Sequence, residues 1–138
     1  MTTAPVVGVS DLAPLRRRLR LLQLLRLGIA VSVSAAAVLA PGWLGRAQVS
    51  SLVGLSLAYA ALTSAVEPLR RRLGTGSVSL VGALVLVDGL YLAAVLARTG
   101  GPQSALSFLV LVHVIAVTLL LSFRSGLKTA LWHALLLF

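Results

Sequence analysis

The chain has 138 residues, 59% of them apolar and 11% charged, with a formal net charge of +9 and no cysteine. A soluble domain carries about 25% charged residues, and a water-soluble protein of this length could not bury so much apolar side chain. Cysteine chemistry of every kind is excluded, and so is a nucleic-acid patch, because most basic residues flank apolar runs with no interleaved aromatics and no zinc-finger spacing.

The fold class expected is all-α, a polytopic transmembrane bundle with five spans visible and a sixth beyond them, in a chain divided into a cytoplasmic tail (1–18) and a transmembrane domain (19–138). Residues Met1 to Leu15, with Pro5, Gly8 and Pro14, read as a loose tail. Arg16, Arg17, Arg18 and Arg20 ahead of an apolar stretch mimic a signal peptide, but the stretch runs to Ala40, beyond an h-region of roughly 7–15 residues, and further apolar spans follow. A retained first helix is the better reading. Ala35-Ala36-Ala37 then belongs to a packing surface rather than a cleavage site.

Span one covers Leu19 to Ala40 and is ended by Pro41-Gly42. Span two covers Val49 to Val66 and is ended by Glu67-Pro68. Span three covers Val78 to Ala97 and span four Ser104 to Ser122. Span five starts near Gly126 and reaches Phe138, about two thirds of a roughly 30 Å hydrocarbon core, so the chain is expected to stop inside a span. The runs are too long for strands and lack the alternation of a sheet or an outer-membrane barrel.

Charge sets the orientation. Ten of the twelve basic residues fall on one side: Arg16, Arg17, Arg18, Arg20 and Arg26 before or within the start of span one, Arg70, Arg71 and Arg72 after span two, and Arg124 and Lys128 after span four. Arg46 and Arg98 fall on the other. The positive-inside rule then puts the N-terminus of a multi-pass membrane protein in the cytoplasm. Gly28, Ser32 and Ala36 on span one, and Gly54 and Ala58 on span two, recur every four residues and suit close helix contact. The partners expected are the lipid bilayer and a second copy, in a homodimer through the helices, with no nucleic acid.

Asp88 is the sharpest functional pointer. It lies about ten residues into span three, where a lone carboxylate is costly unless it is paired, protonated or facing a polar interior. His113 lies at matching depth in span four, and spans three and four share a short loop, so an Asp88–His113 hydrogen bond is geometrically cheap. Tyr91, three residues on, shares the Asp88 face. His133 lies about eight residues into span five. Asp88, Tyr91, His113 and His133 form a candidate polar sensing cluster, with a register clamp and a proton or ion pathway as the other readings. Haem ligation by the two histidines is disfavoured by their unequal depths, and zinc by the absence of diagnostic spacing. No catalytic residue, cofactor or metal is expected.

The outer loop, with Thr99, Gly100, Gly101 and Ser104, reads as a tight turn whose backbone amides could alternatively meet a ligand. Trp43 and Trp132 read as interfacial or lipid-facing aromatics, with packing inside the bundle a second reading for Trp132.

From Leu86 to Leu121 the sequence LVDGLYLAAVLARTGGPQSALSFLVLVHVIAVTLLL resembles the N-terminal multi-span input region of bacterial membrane sensors. Those regions precede cytoplasmic histidine kinase or diguanylate cyclase domains. The family pattern places an aspartate in the third helix, then Thr-Gly-Gly, two variable residues and Ser-Pro. Asp88 matches the aspartate, and Thr99, Gly100, Gly101 and Ser104 match the loop. Ala105 stands where the family has proline, which leaves the start of span four less sharply set. The following SFRSGLKTALWHALLLF is similar to an actinobacterial branch and carries Lys128, Trp132 and His133. The resemblance implies a sensory or regulatory input domain of a larger two-component or cyclase signalling protein, not itself an enzyme. A stand-alone scaffold or complex subunit, and a small transporter, are the alternatives.

Overall fold

A computed structural model describes residues 12–44, 48–73 and 77–137, with the side chains of 12–16, 43, 67, 69–73 and 77–79 outside the description. Helix α1 spans Leu12–Leu39, α2 Val49–Leu73, α3 Ser77–Thr99, α4 Phe108–Leu120 and α5 Phe123–Leu137. Two 3-10 turns, Pro41–Leu44 and Gly101–Gln103, join α1 to α2 and α3 to α4, and no strand occurs among the described residues.

Three helices are long and apolar enough to cross a membrane, over Arg17–Leu39, Val49–Val66 and Leu80–Thr99. Their outward faces carry exposed large apolar side chains, among them Leu24, Val31, Leu57 and Leu90, as does α4 with Ile115 and Leu119. Water would penalise such a surface, whereas lipid does not.

Several boundaries differ from those the sequence suggests. Helix α1 begins at Leu12 rather than after the arginines, because Pro14 falls in its first turn, where no N–H is needed. Helix α2 runs through Pro68 to Leu73 instead of ending at Glu67. The carbonyl that Pro68 leaves without a partner is that of Ser64, on an exposed stretch of the helix, so the helix continues. Span four begins at Ser104 with i→i+3 bonds, Ser107 N to Ser104 O (3.0 Å) and Leu109 N to Leu106 O (3.0 Å), and becomes α-helical only at Phe108. At 13 residues α4 rises only about 20 Å. Helix α5 starts three residues early, at Phe123, because Ser122 caps it: the Ser122 hydroxyl accepts the Ser125 N–H at 3.2 Å.

Packing order also departs from the simple hairpin series. Helices α1 and α2 pair closely, α4 and α5 pair closely, and α3 lies against α2 and α5; α3 and α4, expected as neighbours, approach each other little. Gly126 makes the α4–α5 approach possible, since a Cβ there would collide with the side chain of Thr118. Of the small residues expected at helix contacts only Ala36 packs against the core; Gly28, Ser32, Gly54 and Ala58 are exposed, and a Cβ on either glycine would meet nothing within 4 Å.

The inward stripes follow helical spacing. On α1 they are Leu22, Arg26, Ile29, Val33 and Ala37; on α3 Val85, Asp88, Leu92, Val95 and Thr99; on α4 Leu109, His113 and Val117. Positions three or four apart share one face, and Arg26, Asp88 and His113 on these stripes meet within hydrogen-bond reach. An apolar cluster around Leu22, Val85 and Val117 lies on one side of them, and a larger one around Val33, Leu52, Leu96 and Leu109 on the other.

Candidate functional site

Between the two apolar layers sits Asp88, with a relative exposure of 1%. Arg26 of α1 approaches it at 4% exposure, and His113 of α4 at 0%. The Arg26 Nε–H is shared between Oδ1 and Oδ2, at 2.9 Å from each. Arg26 Nη2 also lies 2.9 Å from Oδ2, an ion-pair distance, but its N–H bonds are not directed at the carboxylate and it has no hydrogen-bond acceptor. Tyr59 of α2 donates its hydroxyl to Oδ1 at 2.8 Å, and His113 Nε2 stands 3.1 Å from Oδ2.

Arg26 fixes the electrostatics. A guanidinium stays charged, so an ionised Asp88 brings the pair to zero net charge. The carboxylate then accepts from three side chains on three other helices. Facing that carboxylate, His113 Nε2 carries a proton and donates. Nδ1 is buried and without a partner.

Helix α5 completes the layer. The His133 ring lies 5.2 Å from the His113 ring, centre to centre, with the planes inclined at 49°. His133 Nδ1 is 2.7 Å from the carbonyl of Thr129. A carbonyl only accepts, so Nδ1 carries the proton and Nε2 is bare. Nε2 too is buried without a partner. Each of the five helices therefore places one side chain in a single contiguous group: Arg26, Tyr59, Asp88, His113 and His133.

Tyr91 does not bond Asp88, although it follows on the same face. Its ring stacks on Tyr59, 4.0 Å between centres and 4° between planes. Its hydroxyl lies 2.8 Å from Ser56 Oγ. Because Ser56 Oγ already donates to the Leu52 carbonyl at 2.9 Å, Tyr91 is the donor. It supports the site through Tyr59.

The outer loop is held as a turn. Gly100 (φ 109°) and Gly101 (φ 68°) both adopt positive φ, which glycine tolerates at a helix end. Thr99 Oγ1 lies 2.7 Å from Ser104 Oγ and bonds the Val95 carbonyl at 3.0 Å, while Ser104 Oγ accepts the Leu106 N–H at 3.2 Å. Both side chains are buried and satisfied within the turn. Trp132 packs against α3, the second of its two expected readings: it is half-buried, its Nε1–H donates to the Leu86 carbonyl at 3.2 Å, and its ring lies where a Cβ on Gly89 would stand, 2.5 Å from Cδ1. The Trp43 side chain lies outside the described residues, as do those of Arg46 and Arg70 to Arg72.

Sequence reasoning missed Arg26 and Tyr59. Arg26 belongs with the buried layer rather than with the flanking charges that orient the chain. The signal was present: seven residues inside an apolar span, between Leu25 and Leu27, an arginine needs a counter-charge, and Asp88 enters its span from the same side at similar depth. Tyr59 had no comparable mark.

Among the described residues no group of three or more His, Cys, Asp or Glu is placed to hold a metal ion. A hollow of about 440 Å³ opens between α1 and α2, lined mainly by Ala30, Val31, Val38, Val53, Leu57 and Ala60, away from the charged layer. Compared with protein-family models, with curated proteins and with solved structures, the chain matches none.

Proposed function

We propose that this chain is the transmembrane sensory or regulatory input domain of a larger signalling protein, crossing a bacterial plasma membrane with its N-terminus in the cytoplasm. The observation that carries the reading is that side chains from α1, α2 and α4 all bond Asp88 of α3, with His133 of α5 beside His113. A change of charge or bonding at that carboxylate alters the contacts of four helices directly and reaches the fifth through His113. Input domains need such a bistable element, whose balance a signal shifts by differential binding to two states. The resemblance of Leu86 to Leu121 to sensor input regions agrees with it, and so does the exposure of Arg17, Arg18 and Arg20 at the start of α1 and of Arg124 and Lys128 at the start of α5.

The test is made in the full gene product, in native membranes, with Asp88→Asn and Asp88→Leu. Phosphotransfer or cyclic-dinucleotide formation is read at matched membrane abundance. The expected result is output locked high or low in at least one variant. Output equal to wild type in both, or a reading frame that encodes no output module, overturns the proposal.

A second reading, a membrane scaffold or complex subunit that includes a homodimer, is favoured by a different observation. Gly28, Ser32, Gly54 and Ala58 are exposed on the α1 and α2 faces and open to a close helix approach.

A further inference from the structure

We infer that His113 and His133 form a two-imidazole site for a late first-row transition-metal ion, Zn(II) or Cu(I), inside the helix bundle. Sequence spacing gives no hint of it, since the two histidines lie on different helices twenty positions apart. The fold puts their rings 5.2 Å apart. With metal–nitrogen bonds of about 2.0–2.1 Å and a tetrahedral angle, two imidazole centres bound to one ion stand roughly 5 Å apart.

The state of the rings supports the same chemistry. A metal-binding histidine almost always donates its second ring N–H to a carboxylate or a backbone carbonyl, which fixes the tautomer and raises the basicity of the ligating nitrogen. His113 donates Nε2–H to Asp88, and His133 donates Nδ1–H to the Thr129 carbonyl. The nitrogens left over, His113 Nδ1 and His133 Nε2, are both buried and both without a hydrogen-bond partner. A buried lone pair with no donor is costly, and two such lone pairs on adjacent rings answer to one Lewis acid. Imidazole suits zinc and copper. Arg26 already balances Asp88, so the rings have no spare negative charge behind them, and the monovalent ion carries the smaller desolvation cost.

The site does not rest on the signalling proposal, and its test is separate from output. The full chain, freed of metal by a chelator and placed in lipid nanodiscs, is titrated with Zn(II) and, under reductant, with Cu(I). His133→Phe keeps the ring volume, removes both nitrogens and leaves the Arg26–Asp88 pair untouched. One saturable ion per chain is expected, with X-ray absorption showing imidazole nitrogens, and His133→Phe should lose at least about tenfold in affinity at unchanged helicity. Absence of saturable binding by both ions overturns the inference. So does equal affinity in His133→Phe, or a pair that takes up only a proton in an NMR titration. Any of these outcomes leaves the Asp88 output test standing on its own result.

Discussion

Two of the buried polar groups among the described residues are built in opposite ways. At the Thr99–Ser104 turn every bond closes within five residues, all groups are neutral, and the buried side chains are satisfied. At Asp88 the bonds join residues 25, 29 and 62 positions apart, two groups are charged, and three nitrogens remain without hydrogen-bond partners. A local, satisfied group shapes the chain and is silent afterwards. A long-range, charged and incompletely satisfied group depends on how five helices sit together, and so can report a change in how they sit.

The contrast can be broken most strongly at the ion pair. Asp88→Leu or Arg26→Leu alone leaves a buried charge without its partner, and each should cost about 3–5 kcal/mol of stability. Reversible unfolding in mixed micelles measures it, and a loss below that of the turn variants would erase the distinction. Next comes the turn backbone. Gly100→Ala places a side chain at φ 109°, and the left-handed strain should cost roughly 1–2 kcal/mol without changing metal binding or output. Tyr59→Phe removes one of the donors to Oδ1 but leaves Arg26 in place, so about 1 kcal/mol is expected. Thr99→Val removes only local bonds, and a loss near 0.6 kcal/mol is expected, in line with typical membrane hydrogen bonds. The smallest effect should be at Gly28→Ala, where open space and helical backbone predict a change between zero and a gain of up to about 1 kcal/mol. A loss there, together with a shift in oligomeric state, would point to a partner seated on α1.

What the sequence made legible follows the same division. Span three, the end of α1 at Pro41 and the glycine turn at 100–101 rest on local signals, namely hydropathy, proline and positive φ, and these reach only a few residues. Asp88 and His113 could be paired because a six-residue loop joins their helices and depth can be counted. Arg26 lies 62 positions from its partner, on a helix whose neighbours no local rule assigns. Its charge invited a flank reading because basic residues gather at span ends. Two readings stay open for Trp132 in the sequence for the same reason: an amphipathic ring suits an interface, but Gly89 on α3 offers a notch that only the packed helices reveal. Gly28 and Gly54 failed in reverse, since spacing shows that small residues share a face but not which way that face turns.

The central claim is that Arg26 and Asp88 act as one unit at the meeting point of the helices. A double-mutant cycle over Arg26→Leu and Asp88→Leu, with unfolding free energies measured in one micelle composition, tests it most directly. Each single variant should lose several kcal/mol, while the double variant, with no charge left to strand, should recover most of that loss and show a coupling energy of about 2–3 kcal/mol or more. Strictly additive losses, or single variants as stable as wild type, would contradict the account.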